Sequence, residues 1–370
     1  MKLSVTREEL FAQFGMVSRV ASTRSAVQAL SGIQLTATSD GKVELRATDM
    51  EVGLRVPLRA EVMREGTVVL PARLAVDVVR ALPAAQVSLE LRSAEQNVEI
   101  VSGGATFHIR TLRGEDFPPL PEVEEEAMVS VPAEAFISTV QVVARAASRD
   151  ETRPVLTGIL VSAAERELRM VATDSYRLSV KETALETALE RSFEANVPAR
   201  ALQELVRIAQ ASDEVRLLVG VRQNQVVFAL GGVTLSSRLI DGQFPNYRQL
   251  LPDSYEHELT LAGAELTAVV RRMSLLAQRN APLRLAFSPG ELTVSAQTPD
   301  VGEARESLPV RYAGDPLEIG FNPEFLRDGL ESVESVDITL GLISPLRPGL
   351  IRAADGSGFQ YLIMPIRLNV

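Results

Sequence analysis

The sequence predicts an α+β protein made of three tandem copies of one unit, each with two helices packed on antiparallel sheet. Three observations predict it. Short motifs recur in order at a nearly constant shift. Each unit carries two apolar stripes at helical spacing, and the stretches between them alternate apolar with polar residues and end in glycine turns.

The repeats come first. Leu30-Ser31-Gly32-Ile33 returns as Leu156-Thr157-Gly158-Ile159, 126 residues on. Ala47-Thr48-Asp49 returns as Ala172-Thr173-Asp174 after 125, and Leu70-Pro71-Ala72-Arg73 as Val197-Pro198-Ala199-Arg200 after 127. Gly103-Gly104-Ala105-Thr106 returns as Gly231-Gly232-Val233-Thr234 after 128, and Phe117-Pro118 returns as Phe244-Pro245. A fainter third copy repeats the spacing of Leu10, Phe14, Val17 and Ala21 as Leu266, Val270, Met273 and Ala277. The units are therefore 1–125, 126–253 and 254–370, each of ordinary domain size. Residues 117–126 read as a proline-rich, acidic connector.

Within a unit, residues 7–21 place Leu10, Phe14, Val17 and Ala21 on one helix face. Alternating strands such as Lys42-Val43-Glu44-Leu45-Arg46-Ala47 follow. A second helix is expected from Pro71, with Leu74, Val78 and Leu82 inward and Leu202, Leu205 and Ala209 as their counterparts. In the third unit, Phe321-Asn322-Pro323-Glu324-Phe325-Leu326 marks the same start.

Composition narrows the chemistry. The chain has no cysteine and two histidines, His108 and His257, which leaves little for a metal site or a nucleophile; no metal and no cofactor are expected. Tryptophan is absent and aromatics are 5%, which argues against a stacking platform for single strands. The N-terminus lacks an apolar signal core and no apolar run reaches membrane-spanning length, so a cytoplasmic protein with no membrane partner is expected. Net charge is −10, against gross adhesion to nucleic acid. Of 38 basic residues 35 are arginine, Lys2, Lys42 and Lys181 being the others.

Some arginines recur by position. Arg73 and Arg80 return as Arg200 and Arg207, seven apart in each helix and thus on one face. Arg19 returns as Arg145, and Arg24, Arg149 and Arg153 lie near the ends of the first helices. The third unit departs, with Glu324 and Glu331 in place of arginine and Arg271, Arg272 and Arg279 on its first helix. Solvated helix faces and a sequence-independent phosphate surface are both open at this point.

Ala47-Thr48-Asp49-Met50-Glu51, Ala172-Thr173-Asp174-Ser175-Tyr176-Arg177-Leu178, Asp241-Gly242-Gln243-Phe244-Pro245-Asn246-Tyr247-Arg248, Ile319-Gly320-Phe321-Asn322 and Tyr361-Leu362-Ile363-Met364-Pro365-Ile366-Arg367-Leu368 carry a resemblance. In this order, on a threefold repeat, the chain resembles the bacterial DNA polymerase III beta subunit, or DNA sliding clamp family, over essentially its whole length. The resemblance implies a ring-shaped head-to-tail homodimer that encircles duplex DNA, helices lining the hole, and acts as a non-catalytic processivity factor. It implies DNA contacts at Arg24, Arg73, Arg149, Arg153 and Arg200, to which the spacing adds Arg80 and Arg207. It also implies a slot between the second and third units for short peptides of the replicative polymerase, the clamp loader and repair factors. The matching positions are Thr173, Ser175, Tyr176, Arg177, Leu178, Pro245, Arg248, Leu250, Ile363, Met364, Pro365 and Ile366. Ser175-Tyr176 and Gln249 depart from the family pattern, and Asn369 and Val370 extend past its usual end. Phe107, Leu275, Leu276, Glu303 and Glu306 are candidates for the dimer contact, the two glutamates pairing with Arg73 or another arginine. Two other classes are weighed. An enzyme would use Asp49 and Asp174 as paired carboxylates, although an Asp after a strand is commonly a turn former. A repeat-built scaffold would bind proteins without encircling DNA.

Overall fold

The computed structural model describes residues 1–121, 127–277, 281–299 and 301–368; Arg279, Asn369 and Val370 and residues 122–126 of the connector lie outside them. The first repeat runs β1 (Lys2–Thr6), α1 (Arg7–Ser18), β2 (Gly32–Ala37), β3 (Val43–Thr48), β4 (Val52–Pro57), β5 (Glu61–Arg64), β6 (Gly66–Pro71), α2 (Ala72–Ala81), β7 (Gln86–Arg92), β8 (Asn97–Ser102) and β9 (Ala105–Arg110). The second runs β10 (Val129–Pro132), α3 (Ala133–Val143), β11 (Gly158–Ala164), β12 (Glu167–Thr173), β13 (Arg177–Ala184), β14 (Phe193–Pro198), α4 (Ala199–Ala209), β15 (Arg216–Arg222), β16 (Gln225–Leu230) and β17 (Val233–Arg238). The third runs β18 (His257–Ala262), α5 (Gly263–Ser274), β19 (Leu283–Ser288), β20 (Glu291–Thr298), β21 (Gly302–Pro309), β22 (Leu317–Phe321), α6 (Pro323–Glu331), β23 (Asp337–Leu342), β24 (Gly349–Ala353) and β25 (Phe359–Ile363). The α+β repeat is thus present three times, with β5 as an addition to the first.

Local chemistry sets the helix ends. The Thr6 hydroxyl accepts from the Glu9 amide at α1, and Asn322 accepts from the amides of Glu324 and Phe325 at α6, where Pro323 fills the first turn. Helix α1 buries Leu10, Phe14 and Val17; Ala21 lies beyond its end. The inward face of α2 differs from the expected stripe. Ala72, Ala75, Val76 and Val79 are buried, Leu82 is buried at the C-cap, Val78 is half-buried and Leu74 is 49% exposed. Alanines let the helix sit close to its neighbours, so the larger Leu74 turns outward. In α4, Leu202 and Leu205 are buried as expected, with Ala209 half-buried. The Gly231-Gly232 turn joins β16 to β17 with φ of 58° and 82°, which a side chain would resist.

The chain packs as two compact bodies, residues 1–133 with 204–239, and residues 134–203 with 240–370. The division falls inside the second repeat because the large sheets run through the repeat boundaries. In the first body one sheet has the order β10-β15-β16-β17-β4-β3-β2-β6, and a smaller one β5-β1-β7-β8-β9. In the second body the orders are β14-β11-β12-β13-β25-β24-β23-β18 and β21-β20-β19-β22.

The two seams are built alike. In the first body β4 pairs with β17, Gly53 opposite Ser236 and Leu54 opposite Leu235. In the second, β13 pairs with β25, Leu178 opposite Leu362 and Ser179 opposite Tyr361. An arginine past each first helix reaches the second helix of the next repeat. Arg19 meets Glu204 at 2.7 Å, and Arg145 meets Glu331 at 2.6 Å and Asp328 at 3.5 Å. Arg145, then burial working the other way, then Arg271 fix the Glu331 carboxyl, whose pKa ends below its ordinary value. The second seam adds Arg177, which is 8% exposed. Its guanidinium donates to Asp174 at 3.1 Å, Asp328 at 2.6 Å, the Tyr361 hydroxyl at 3.3 Å and the Arg145 carbonyl at 2.5 Å, and lies 4.3 Å from the Phe325 ring centroid. Burial alone disfavours the charge; Tyr361, Asp328 and Asp174 outweigh it and raise the guanidinium pKa. Arg177→Ala leaves Asp174 and Asp328 without this partner, and is expected to cost about 3–5 kcal/mol in urea unfolding. Tyr361→Phe, which removes one hydroxyl, is expected to cost about 1 kcal/mol in the same measurement.

Candidate functional site

A cavity of about 650 Å³ opens in the second body beside the β13–β25 pair. Of the twelve positions expected there, Thr173, Ser175, Arg177, Leu178, Leu250 and Met364 line it. So do residues the sequence reading passed over: Leu251, Pro252, Asp253, Ser254, Ile343, Leu346, Arg347, Pro348 and Leu362, together with Gln249. Strand alternation sorts them. Leu178 and Leu362 are cross-strand partners on one face, packed with Val171, Val180, Tyr247 and Leu350 as the cavity floor. Arg177, Tyr361 and Ile363 point the other way. Ile363 is therefore fully buried, and the guanidinium of Arg177 is spent on the seam while the rest of the residue borders the cavity. Pro245 and Arg248 line a separate cavity of about 350 Å³ on the far side of Tyr247, with Arg169 and Glu194. The amide of Ile366 donates to the Gly320 carbonyl, and Ile366 borders a third cavity with Arg284, Arg305 and Arg367. Pro365 is half-buried and lines none of these three.

The rim is apolar and exposed. Leu346 is 59% exposed and Leu250 and Met364 about half so; Tyr176, expected in the slot and also 59% exposed, does not line it. Tyr176 stacks on Phe325 at 6.4 Å, and its carbonyl accepts from the Met364 amide at 2.9 Å. Leu346 could have been found in the sequence: it sits at a loop tip between Pro345 and Pro348, where an apolar side chain has no core to enter. A slot of this kind, with Asp253, Ser254 and Gln249 at its edge, suits a short peptide with apolar side chains.

The turn from Thr173 to Arg177 shapes one wall. The Thr173 hydroxyl donates to the Arg177 carbonyl at 2.7 Å and accepts from the Ser175 amide, and the Asp174 carboxylate accepts from the amides of Tyr176 and Arg177. Asp49 makes the same turn in the first repeat, accepting from the amides of Glu51 and Val52. Both carboxylates are turn formers in their own repeats. Ser175 and Met50 both hold φ at +78°, an uncommon conformation for a side-chain-bearing residue.

The equivalent place at the first seam is filled. Gly53 and Ser236 stand where Leu178 and Leu362 line the larger cavity, and Leu120 of the connector lies over Gly53, 2.7 Å from where a Cβ would be. About 160 Å³ remains there.

The expected DNA-contact arginines are all exposed. Arg24, Arg73, Arg80 and Arg207 belong to the first body, Arg149, Arg153 and Arg200 to the second. Arg80 pairs with Asp77 at 3.4 Å and Arg207 with the buried Glu204 at 2.9 Å, so part of their charge is answered at home. Among the described residues, Arg24, Arg73 and Arg149 have no acidic partner. In the third repeat Arg271 is held by Glu331 and Arg272 by Glu306, so neither replaces the missing positive charge.

Two edge strands are counterparts of the strands paired at the seams. Strand β9 ends the five-stranded sheet and β21 ends the four-stranded one. Phe107 on β9 is half-exposed, whereas its counterparts Leu235 and Tyr361 are buried at the seams. Leu275 past α5 is 84% exposed and stands where Arg19 and Arg145 stand in the other repeats; Leu276 is half-buried. Glu303 is exposed, while Glu306 is taken up by Arg272 of its own repeat and is not available as a cross-copy partner.

Comparison with known proteins agrees along the whole chain. Residues 1–121, 130–246 and 248–367 match, respectively, the N-terminal, central and C-terminal domains of the DNA polymerase III beta subunit. The beta sliding clamp of Streptomyces coelicolor is 34% identical over 379 aligned residues, covering all of both chains. The DNA polymerase sliding clamp of Bacillus subtilis superposes with a TM-score of 0.92 at 28% identity, again over both full chains. A Pseudomonas aeruginosa sliding clamp bound to griselimycin superposes with a TM-score of 0.90 at 27% identity over both full chains. The three repeats, their shared seams and these full-length matches place the chain in the DNA polymerase III beta subunit family, the beta sliding clamps.

Proposed function

We propose that two copies of this chain close head to tail into a ring around duplex DNA, and that the ring tethers the replicative polymerase and other factors through the cavity beside β13 and β25. One observation carries this reading. The chain repeats one seam twice and leaves that seam's two halves, β9 and β21, open at its ends. A second copy supplies the missing halves. Side-chain facing puts Phe107 opposite an even-numbered residue of β21, and the pairing proposed is Phe107 with Ala304 and His108 with Glu303. Leu74, Val301 and Leu275, exposed in one copy, lose water in the pair. The arginine-to-acid contact of the two internal seams becomes an apolar one, with Leu275 facing the surface of α2. The chain itself does no chemistry in this reading and works in the cytoplasm.

Encirclement reconciles holding with moving. A protein kept on DNA by affinity must bind tightly to stay and weakly to slide. A closed ring stays by topology while each arginine–phosphate contact remains weak and sequence-independent. Arg24, Arg73, Arg149, Arg153 and Arg200 make those contacts, with Arg80, Arg153 and Arg207 partly answered by Asp77, Asp150 and Glu204. The cavity takes apolar peptide side chains against Leu178, Leu250, Leu346, Leu362 and Met364; the thioether of Met364 adapts to differing shapes.

The ring is tested on nicked circular DNA. Loaded protein should remain through gel filtration and leave when the circle is cut; retention on linear DNA equal to that on circles returns the reading to a scaffold or a simple binder. The register is tested with His108→Cys plus Glu303→Cys in a chain that has no cysteine of its own. Oxidation should give a covalent dimer, twice 40.1 kDa on a non-reducing gel, and neither single variant should. The cavity is tested with griselimycin. Leu346→Glu puts a carboxylate on the exposed rim and should weaken griselimycin at least about tenfold by calorimetry without lowering the unfolding midpoint.

A further inference from the structure

We propose that Arg153 couples duplex contact to peptide capture, as a positioning residue that releases the pocket turn when a phosphate takes its place. This rests on the clamp reading above and names a regulation of the same cavity.

Arg153 touches both surfaces. Its Nη1 donates to the Ser175 hydroxyl at 3.0 Å, and its Nε to Asp150 at 3.2 Å. Ser175 lines the cavity and sits at the crest of the strained turn. The rest of the guanidinium is open to solvent, its side chain 43% exposed, in the loop that also holds Arg149. The first repeat is an internal control. It has the same turn and the same left-handed φ, but Val27 and Met50 stand where Arg153 and Ser175 stand, so no such link can form. The hydrogen bond belongs to the repeat whose turn borders the larger cavity.

The chemistry is a competition for one donor pair. With Nε on Asp150, the fork left for a phosphate is the pair of terminal nitrogens, which includes the Nη1 that serves Ser175. A phosphate that takes the fork frees the Ser175 hydroxyl, which can then donate to or accept from a peptide backbone at the rim. The turn also loses a tie that holds it in the empty-pocket shape. Duplex contact therefore raises affinity for a pocket ligand, and by linkage the ligand raises affinity for duplex by the same factor.

The test measures fluorescent griselimycin binding to the full chain at low salt, with and without a saturating short linear duplex that can thread the ring from its end. The wild-type dissociation constant should fall about fivefold when duplex is present, the lower end of typical coupling. Ser175→Ala keeps the backbone strain and removes the hydroxyl; whatever its absolute affinities, its ratio with and without duplex should be one. Arg153→Lys keeps the charge and loses the fork, and its ratio should also approach one. A wild-type ratio of one, a ratio of the opposite sign, or an unchanged ratio in Ser175→Ala overturns the coupling while leaving the clamp reading in place. Failure of either griselimycin or duplex to bind the wild type overturns both.

Discussion

Main-chain pairing across the repeat boundaries is the constraint on which the rest depends. Once β13 is hydrogen-bonded to β25, the two-residue period of a strand assigns every side chain at the second seam to one of two faces. Arg177 and Tyr361 go to the helix side, where burial demands that the charge be answered, and Asp174 and Asp328 answer it. Leu178 and Leu362 go to the other side, where among the described residues no α-helix covers them and the residues from Tyr247 to Ser254 close only part of the gap. The slot is what that incomplete cover leaves. A one-residue slip would bring the guanidinium to the slot and the leucines under α6, so register and function are one specification.

Much of this was legible in the sequence, and the losses have physical causes. Repeats were readable because a Cβ on Gly32 or Gly158 would strike the facing strand, Thr48 and Thr173 hold a turn, and Pro71 and Pro198 precede a helix. Helix positions were readable; the inward face of α2 was not, because choosing the bulkiest residues selects Leu74 where close packing selects Ala72 and Ala75. The pocket suffered in the same way. Ile363 and Leu362 are adjacent and equally apolar, and only the pairing partner tells which one faces the slot. Loop residues such as Leu346 and Pro348 come from a part of the chain more than 160 positions from Leu178, a proximity no local pattern encodes. Glu306 looked available until α5 placed Arg272 beside it.

The charges divide into two populations with different work. Arg19, Arg145, Arg177, Arg271 and Arg272 are bound to carboxylates and hold structure together. Arg24, Arg73 and Arg149 have no such partner among the described residues and are free to offer charge to a polyanion; Arg153, held by Asp150 through Nε alone, keeps part of its charge for the same work. Counting arginines by helix face treats the two groups alike. Arg207 belongs between them, since Glu204 serves both it and Arg19.

The connector's Leu120, lying over Gly53, has a consequence for traffic. A chain with two like seams could have offered two seats, but at one of them the Leu120 side chain lies over Gly53, so the proposed two-copy ring would have two seats in all. In that ring a third factor waits for a vacancy, and the order in which bound factors take turns is then set by how fast each one lets go.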